Sequence, residues 1–299
     1  MTNRLSILQS AKKEHVRLHP FPHIVLPSCL PDSIYRELEE SYPSDELICR
    51  LDSARRPKPG ENKRVDISAN SFLKNKKTLP SIWLDFVQYH TSRDFFLEVL
   101  DLFGEAIHAS YPDLEDRIGR LAELQAGVRF CEKTDTHPLS LDCQVGINTP
   151  GSSTSTVIGP HTDSPDELYA GLLYFRREDD AAEGGHLDLY SWVDPHTKIF
   201  RDNHKVADYT MLKHEATILS SANTLVMFIN TVDSVHGVSP RSPSTVSRRL
   251  VNVIGEVYNS VPGGLYKRPQ IHGSEPEQPL GLRQRAKAKL KAFATGLIR

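Results

Sequence analysis

The chain has 299 residues, of which 38% are hydrophobic and 25% are charged, a composition typical of a globular protein with a sizeable core. Its formal net charge of -2 gives no reason to expect binding to nucleic acid or to a membrane surface. Four scattered cysteines form no CxxC pair, no signal-type segment opens the chain, and no apolar run is long enough to cross a membrane. We therefore expect a cytoplasmic protein with reduced thiols.

The N-terminal part, residues 1–123, is expected to be helical and loop-like. A β-type run at residues 21–26 is followed by Pro31, where a helix is predicted to open. Residues 43–80 are charged and have weak periodicity, which predicts a long loop with short strands. Residues 82–107 carry apolar side chains at spacings of three and four, which predicts one long helix packed against a sheet.

A period of two residues, typical of strands, begins at about residue 124. Strands are predicted at residues 124–131, 141–148, 168–176, 186–192, 217–220, 224–230 and 248–257. Many short strands after a helical N-terminal part favour a β-sandwich or barrel with helices on one outer face. We therefore expect a single α+β domain whose β core spans residues 124–257, with an adaptable polar loop at residues 149–158.

Residues 258–299 form a C-terminal extension of different composition. From Leu282 onwards it carries six basic residues and no acidic one, with a few apolar side chains between them. This pattern predicts a surface helix packed against the core, with a basic docking element for an acidic partner as the alternative.

The most informative short motif is His161-Thr-Asp163. In a strand, residues two apart point to the same face, so this imidazole and carboxylate are placed to bind one metal ion. We predict that the third ligand is His236, which follows an apolar strand and precedes a glycine turn; the competing histidines are His186 and His214. Two histidines and one carboxylate that leave open positions are the pattern of non-haem Fe(II) oxygenases.

Two adjacent arginines, Arg248 and Arg249, open the apolar strand that follows. A buried arginine is costly unless it is paired, and an anionic ligand that reaches into the site would pair it through a fork of two hydrogen bonds. Alternation places Arg249 on the same face as Val251 and Val253. Because two valines favour the interior, Arg249 is the first choice for the anion-binding residue, and Arg248 is the reserve.

This ordered set of motifs resembles the Fe(II)/2-oxoglutarate-dependent dioxygenases, especially their prolyl-4-hydroxylase-like group. Residues 171–192 (GLLYFRREDDAAEGGHLDLYSW) and 234–240 (SVHGVSP) are similar to that group's strand after HxD, its GG-x-L turn and its distal histidine strand. The resemblance covers residues 124–257. It implies a double-stranded β-helix (jelly-roll or cupin-like) core with N-terminal helices packed on one face and a C-terminal helix.

The resemblance also implies a set of cofactors and roles. His161, Asp163 and His236 would bind Fe(II), with 2-oxoglutarate and O2 as cosubstrates, and Arg249 or Arg248 would bind the far carboxylate of 2-oxoglutarate. The second partner of that carboxylate is left open among four polar side chains: Gln144, Asn148, Thr154 and Tyr174.

Two features depart from the family pattern. The prolyl-4-hydroxylases proper use lysine for the cosubstrate carboxylate, and many arginine-type members show Arg-x-Ser where this chain has Val251. The family also includes halogenases, which lack the carboxylate ligand, so the presence of Asp163 disfavours halogenation.

The implied reaction is hydroxylation of an unactivated C–H bond in a small-molecule or amino-acid-derived substrate. One alternative is that the same oxidant drives desaturation, cyclisation or epimerisation; another is a peptidyl or carrier-bound substrate. A non-catalytic β-helix binding module is a remote alternative. A cupin-type metal hydrolase or isomerase is disfavoured because such sites usually carry more histidines and have no need for the downstream arginine. The sequence indicates no oligomeric state.

Overall fold

The computed structural model describes residues 4–52, 57–132, 136–201, 206–257 and 263–269. Its helices in these ranges are α1 (Asp32–Glu40), α2 (Asp45–Leu51), α3 (Ala69–Lys74), α4 (Ser81–His90), α5 (Arg93–Ser110) and α6 (Leu114–Ile118). Its strands are β1 (His23–Pro27), β2 (Arg64–Ile67), β3 (Ala126–Val128), β4 (Leu139–Asn148), β5 (Glu167–Phe175), β6 (Leu187–Trp192), β7 (Phe200–Arg201), β8 (Val206–Ala207), β9 (Leu212–Ile218), β10 (Thr224–Ile229), β11 (His236–Val238) and β12 (Arg248–Glu256). The predicted C-terminal helix and the basic stretch from Leu282 lie outside the described residues.

The described strands form one large sheet, one small sheet and a separate pair of two short strands, β7 and β8. The large sheet has the order β1-β10-β5-β12-β4-β2, and β3 pairs with β4 in parallel at its edge. The small sheet has the order β11-β6-β9. Residues 155–161 extend it beyond β11, because Ser155 bridges Arg241, His161 bridges His236, and the Val238 amide donates to Ile158 at 3.1 Å. The mixed α+β class predicted from the sequence is confirmed.

Helices cover the outer face of the large sheet and form the main hydrophobic core with it. Val251 and Val253 of β12 belong to this core, together with fully buried aromatic residues of α4 and α5 such as Trp83 and Phe96. Tyr42, just past α1, joins the layers because its hydroxyl donates to the carbonyls of Gly146 at 2.7 Å and Leu250 at 2.9 Å. The helical layer thereby supports β4 and β12 from behind. None of the described helices combines the length and the apolar character needed to span a membrane.

A second hydrophobic core lies between the two sheets. Leu250 and Tyr174 contribute to it from the large sheet, and Leu187 and Leu189 contribute from β6. Both faces of β12 are therefore buried, one against helices and the other against the small sheet. Such a strand shows no clean alternation of apolar and polar residues, because each face has its own apolar partner.

Two predicted N-terminal features are wrong in detail. The long helix predicted over residues 82–107 is two helices, because Ser92 lies between α4 and α5 and its hydroxyl accepts the Phe95 amide as an N-cap. The segment 43–80, predicted as a loop with short strands, contains α2 and α3 in addition to β2. Ser44 and Ser68 cap these two helices in the same way. β1 and β2 also join the large sheet, so the N-terminal part is not separate from the β core.

Candidate metal centre

The two predicted histidine ligands lie side by side on neighbouring strands. The His161 amide donates to the carbonyl of His236 at 2.8 Å, and the His236 amide donates back at 3.0 Å. This reciprocal pairing puts both side chains on the same face, with ring centroids 4.5 Å apart. Both residues are buried. The pairing explains how residues 75 positions apart in the chain come to share one site.

Asp163 completes the group. Its Oδ1 lies 3.6 Å from Nε2 of His161, and its Oδ2 lies 3.7 Å from Nε2 of His236. Metal–nitrogen and metal–oxygen bonds of about 2.1 Å place adjacent ligand atoms about 3 Å apart, so a modest inward movement of these donors would fit them around an ion. Within the described ranges, these three side chains form one group whose ligand atoms all lie within 4.8 Å of one another. The structure therefore brings the three predicted ligands together.

The hydrogen bonds of the imidazoles fix which nitrogen faces the centre. Nδ1 of His161 lies 2.9 Å from the Gly159 carbonyl, and Nδ1 of His236 lies 3.0 Å from the Ser234 carbonyl. A carbonyl only accepts, so each Nδ1 carries the proton and each Nε2 keeps its lone pair. Hydrogen bonds of this kind orient histidines that bind a metal ion through the other ring nitrogen. Two imidazoles and one carboxylate suit a borderline divalent metal such as Fe(II).

The two adjacent arginines of β12 lie on opposite faces of the strand. The face of β12 that carries Val251 and Val253 packs against the helices, not toward the small sheet. Arg249 lies on that face, where its guanidinium stacks over Tyr42 with 4.9 Å to the ring centroid. The two valines are thus buried by helices, so they do not mark the side of β12 that meets the small sheet.

Arg248 lies on the opposite face, between the sheets, and is 4% exposed. With the amide of Asn148 oriented to satisfy both groups, Asn148 Oδ1 accepts from Nη2 at 2.5 Å and from Nε at 3.2 Å. Nη1 is buried and has no hydrogen-bond partner. Burial, with smaller contributions from the positive charges of Arg241 and Arg64, lowers the pKa of Arg248 to about 10. A buried cation with a spare donor and cationic neighbours is suited to bind an anion.

Arg64 of β2 is a site candidate that the sequence interpretation missed. The strand register places Arg64 opposite Asn148 and Asn148 opposite Arg248, so the three form a row across the large sheet. Nε of Arg64 donates to Asp66 at 3.1 Å, while its Nη2 is buried without a partner. The signal for Arg64 was the alternation Arg-Val-Asp-Ile within a segment predicted as loop.

The remaining polar candidates have separate positions. Tyr174 is buried next to Arg248, whose guanidinium carbon lies 5.9 Å from its ring centroid, and burial raises the pKa of its phenol. Gln144 donates to Asp142 at 3.0 Å, and Thr154 is exposed. The competing histidines are elsewhere: His186 contacts Ser220, and His214 contacts Asp188 and Thr217. Of the four candidate partners, Asn148 and Tyr174 accompany Arg248.

A buried charge cluster lies at the far end of β4 and β12. Arg129 donates to Glu256 at 2.6 Å and lies 3.6 Å from Asp142. Burial raises the pKa of Glu256 from 4.5 to about 7, against the opposing effect of Arg129. The folded state thus keeps a proton that the unfolded state releases above pH 4.5. This contribution to stability is complete below that pH and is lost as pH rises through about 7.

Comparisons with known proteins give structural similarities only. No family model matches the chain, and no curated protein matches it. A prolyl 4-hydroxylase from Phytophthora capsici is similar at a TM-score of 0.47 and 15% identity, covering 86% of this chain and 66% of that protein. A prolyl hydroxylase from Trichoplax adhaerens, solved with a peptide fragment of hypoxia inducible factor, has a TM-score of 0.41 and 11% identity over 83% of this chain and 90% of its own.

A third similar structure is the dioxygenase for auxin oxidation from rice, with a TM-score of 0.42 and 11% identity over 78% of this chain and 72% of its own. All three TM-scores are below 0.5 and all three identities are below 25%. The function proposed next therefore rests on the residues of the site.

Proposed function

We propose that this protein is an Fe(II)- and 2-oxoglutarate-dependent dioxygenase built on a double-stranded β-helix. Support for the fold comes from the strand orders. β10, β5, β12 and β4 form one wall, and β9, β6, β11 and residues 155–161 form the other. The chain passes repeatedly from one wall to the other, and a hydrophobic core fills the space between them.

The single observation that carries the metal assignment is the pair of Nε2 atoms and the Asp163 carboxylate converging on one point. His161 and His236 present lone pairs because their Nδ1–H groups are fixed by backbone carbonyls. In this proposal Fe(II) supplies the activation of O2 that no protein side chain provides. The protein holds the ion on one side, which leaves the opposite side for cosubstrates.

In the same proposal Arg248, rather than Arg249, binds the far carboxylate of 2-oxoglutarate. Its free Nη1 donor faces the interval between the sheets, where a Cβ added to Gly185 would lie 2.9 Å from it. Asn148 orients the Arg248 guanidinium by accepting hydrogen bonds from its Nη2 and Nε, and the Tyr174 ring packs beside it. Arg64, two strands away in the same row, adds a second buried donor that suits a carboxylate oxygen.

The apolar walls complete the proposal. Phe228 of β10 packs against the ring of His236, with 4.6 Å between centroids. This contact keeps water from one face of the His236 ring, and water exclusion strengthens charge interactions beside it. We propose hydroxylation of a C–H bond in a small-molecule or amino-acid-derived substrate as the reaction.

The test is cosubstrate turnover. Purified protein supplied with Fe(II), 2-oxoglutarate and O2 should form succinate, and the rate should rise when candidate substrates are added. His161→Ala and Asp163→Ala should abolish succinate formation, whereas His214→Ala, a histidine on β9 that lies outside the metal group, should leave it unchanged. Full turnover by either ligand variant would refute the assignment of the metal centre.

A further inference from the structure

Residues 263–269, called the strap below, follow the last strand of the large sheet and contact the backbone of residues 162–165. The strap is attached on both sides: the Leu265 amide donates to the Pro165 carbonyl at 2.7 Å, and Arg117 donates to the Gly264 carbonyl at 3.4 Å. Leu265 itself is 7% exposed and packs into the main core. The strap therefore has a defined position beside the turn that follows His161-Thr-Asp163.

Two strap side chains bind the main chain between the predicted ligands. The Tyr266 hydroxyl donates to the carbonyl of Asp163 at 2.7 Å. Arg268 donates from Nε to the Thr162 hydroxyl at 3.0 Å and from Nη2 to the Thr162 carbonyl at 3.1 Å; Nη2 also bonds the Asp163 carbonyl. The peptide groups on both sides of Asp163 are thus held from the strap.

Asn230 connects this contact to the second histidine. Its side-chain amide donates to the carbonyls of Ser164 at 2.7 Å and Glu167 at 3.0 Å, and its Oδ1 accepts from the Ser234 hydroxyl at 3.1 Å. Tyr266 lies 3.5 Å from the same Oδ1. Because the Ser234 carbonyl fixes Nδ1 of His236, one hydrogen-bonded network links the strap to the backbone at two of the three predicted ligands.

We propose that the strap is a positioning element for the metal centre, in which Tyr266 and Arg268 fix the Thr162–Asp163 backbone and so set the direction of the Asp163 carboxylate. The inference rests on the proposed metal site and adds a role for a segment outside the β core. The physical reason is that the carboxylate direction follows from the orientation of these two peptide groups. Nη2 of Arg268 bonds two main-chain oxygens there, which favours a role in fixing the backbone.

The strap could instead serve only to cover the core through Leu265, and the two roles differ in what they change. Loss of the Tyr266 hydroxyl or of the Arg268 fork should weaken metal binding while the ring and the backbone contacts of the strap remain. Loss of the Leu265 side chain should lower the stability of the metal-free protein and leave the geometry of the ligands intact. Lys267 is exposed between Tyr266 and Arg268, so Lys267→Ala provides a matched control that should not change metal binding.

The experiment is a titration of the full-length protein with Co(II), followed by visible absorption, with thermal unfolding of each metal-free variant measured in parallel. Metal-site residues behind the ligands typically change affinity by about 10- to 100-fold. We expect about a 10-fold weaker Co(II) affinity for Tyr266→Phe and a larger loss for Tyr266→Phe/Arg268→Ala, with Arg268→Lys intermediate because it keeps the charge without the fork. Lys267→Ala should bind as the wild type does.

Each outcome separates the strap from the metal site itself. A double variant that binds Co(II) within twofold of the wild-type affinity overturns the strap proposal. The proposal is also overturned if Leu265→Ala loses as much Co(II) affinity as the double variant and unfolds at the same temperature as that variant. A wild-type protein that binds no Co(II), or a His161→Ala variant that binds it equally well, overturns the proposed metal centre and the strap with it. Loss in the strap variants alone, with a Co(II) spectrum of altered intensity, supports the positioning role.

Discussion

Replacing each of the two adjacent arginines by alanine should have very different consequences for 2-oxoglutarate binding. Arg248 lies between the sheets with Nη1 free, and Arg249 lies on the helix side over Tyr42. One charge-assisted hydrogen bond contributes about 1.5–3 kcal/mol, and a carboxylate would also gain from the buried positive charge. We therefore expect Arg248→Ala to cost about 3 kcal/mol, or about 100-fold in Kd. Arg249→Ala should change Kd by less than about threefold, because its guanidinium does not face the site.

The assay is calorimetric titration of 2-oxoglutarate into the anaerobic metal-loaded protein, with metal affinity measured separately for each variant. Arg248→Lys provides the graded control, since it keeps the charge but not the fork, and should lose about 10-fold. Arg64→Ala should also weaken binding, but less than Arg248→Ala, because Asp66 already takes part of its donor capacity. A larger loss for Arg249→Ala than for Arg248→Ala would refute the assignment of the two faces of β12.

Two further predictions concern stability. Tyr42→Phe removes a buried hydroxyl that bonds two carbonyls and should lower the free energy of unfolding by about 1–3 kcal/mol in urea titrations; an unchanged value would show that the hydroxyl does not join the layers. Because the pKa of Glu256 is raised to about 7, the wild type should lose up to about 3 kcal/mol of stability between pH 4.5 and 8, and Glu256→Gln should lack this loss. Equal pH slopes in the two proteins would contradict the raised pKa.

The three side chains of the candidate metal centre could be selected from the sequence because residue type and spacing are local signals. His161 and Asp163 are two residues apart, a spacing that a strand converts directly into a shared face. His236 was distinguished from His186 and His214 by its place after an apolar strand and before a glycine. The structure brings the three together through a backbone pairing between His161 and His236, which no local pattern reveals.

The sequence does not distinguish Arg248 from Arg249, for a physical reason. Alternation assigns residues to two faces, but it identifies the interior only when one face meets water. In β12 both faces are buried, so the valines beside Arg249 report the core under the helices and not the site. Identifying the face between the sheets requires knowing which face the second sheet covers, and that depends on contacts with β6 far along the chain.

The other features that the sequence interpretation missed differ in whether a local sequence pattern indicates them. The serine caps at Ser44, Ser68 and Ser92 stand at helix starts and were available to sequence reasoning. The strap contacts of Tyr266 and Arg268 join positions about a hundred residues apart and leave no periodic trace. Arg64 is intermediate, since its strand is only four residues long within a charged segment.

The most direct measurement of the central claim is an anaerobic spectroscopic titration of the metal-free protein with Fe(II) and 2-oxoglutarate. Chelation of Fe(II) by a 2-keto acid gives a visible charge-transfer band that neither component shows alone. The proposed centre predicts that this band appears only when both are present, saturates at one equivalent of each per chain, and is lost in Asp163→Ala and His236→Ala. Saturable binding of Fe(II) with no band on addition of 2-oxoglutarate, or a band that survives in both ligand variants, would contradict it.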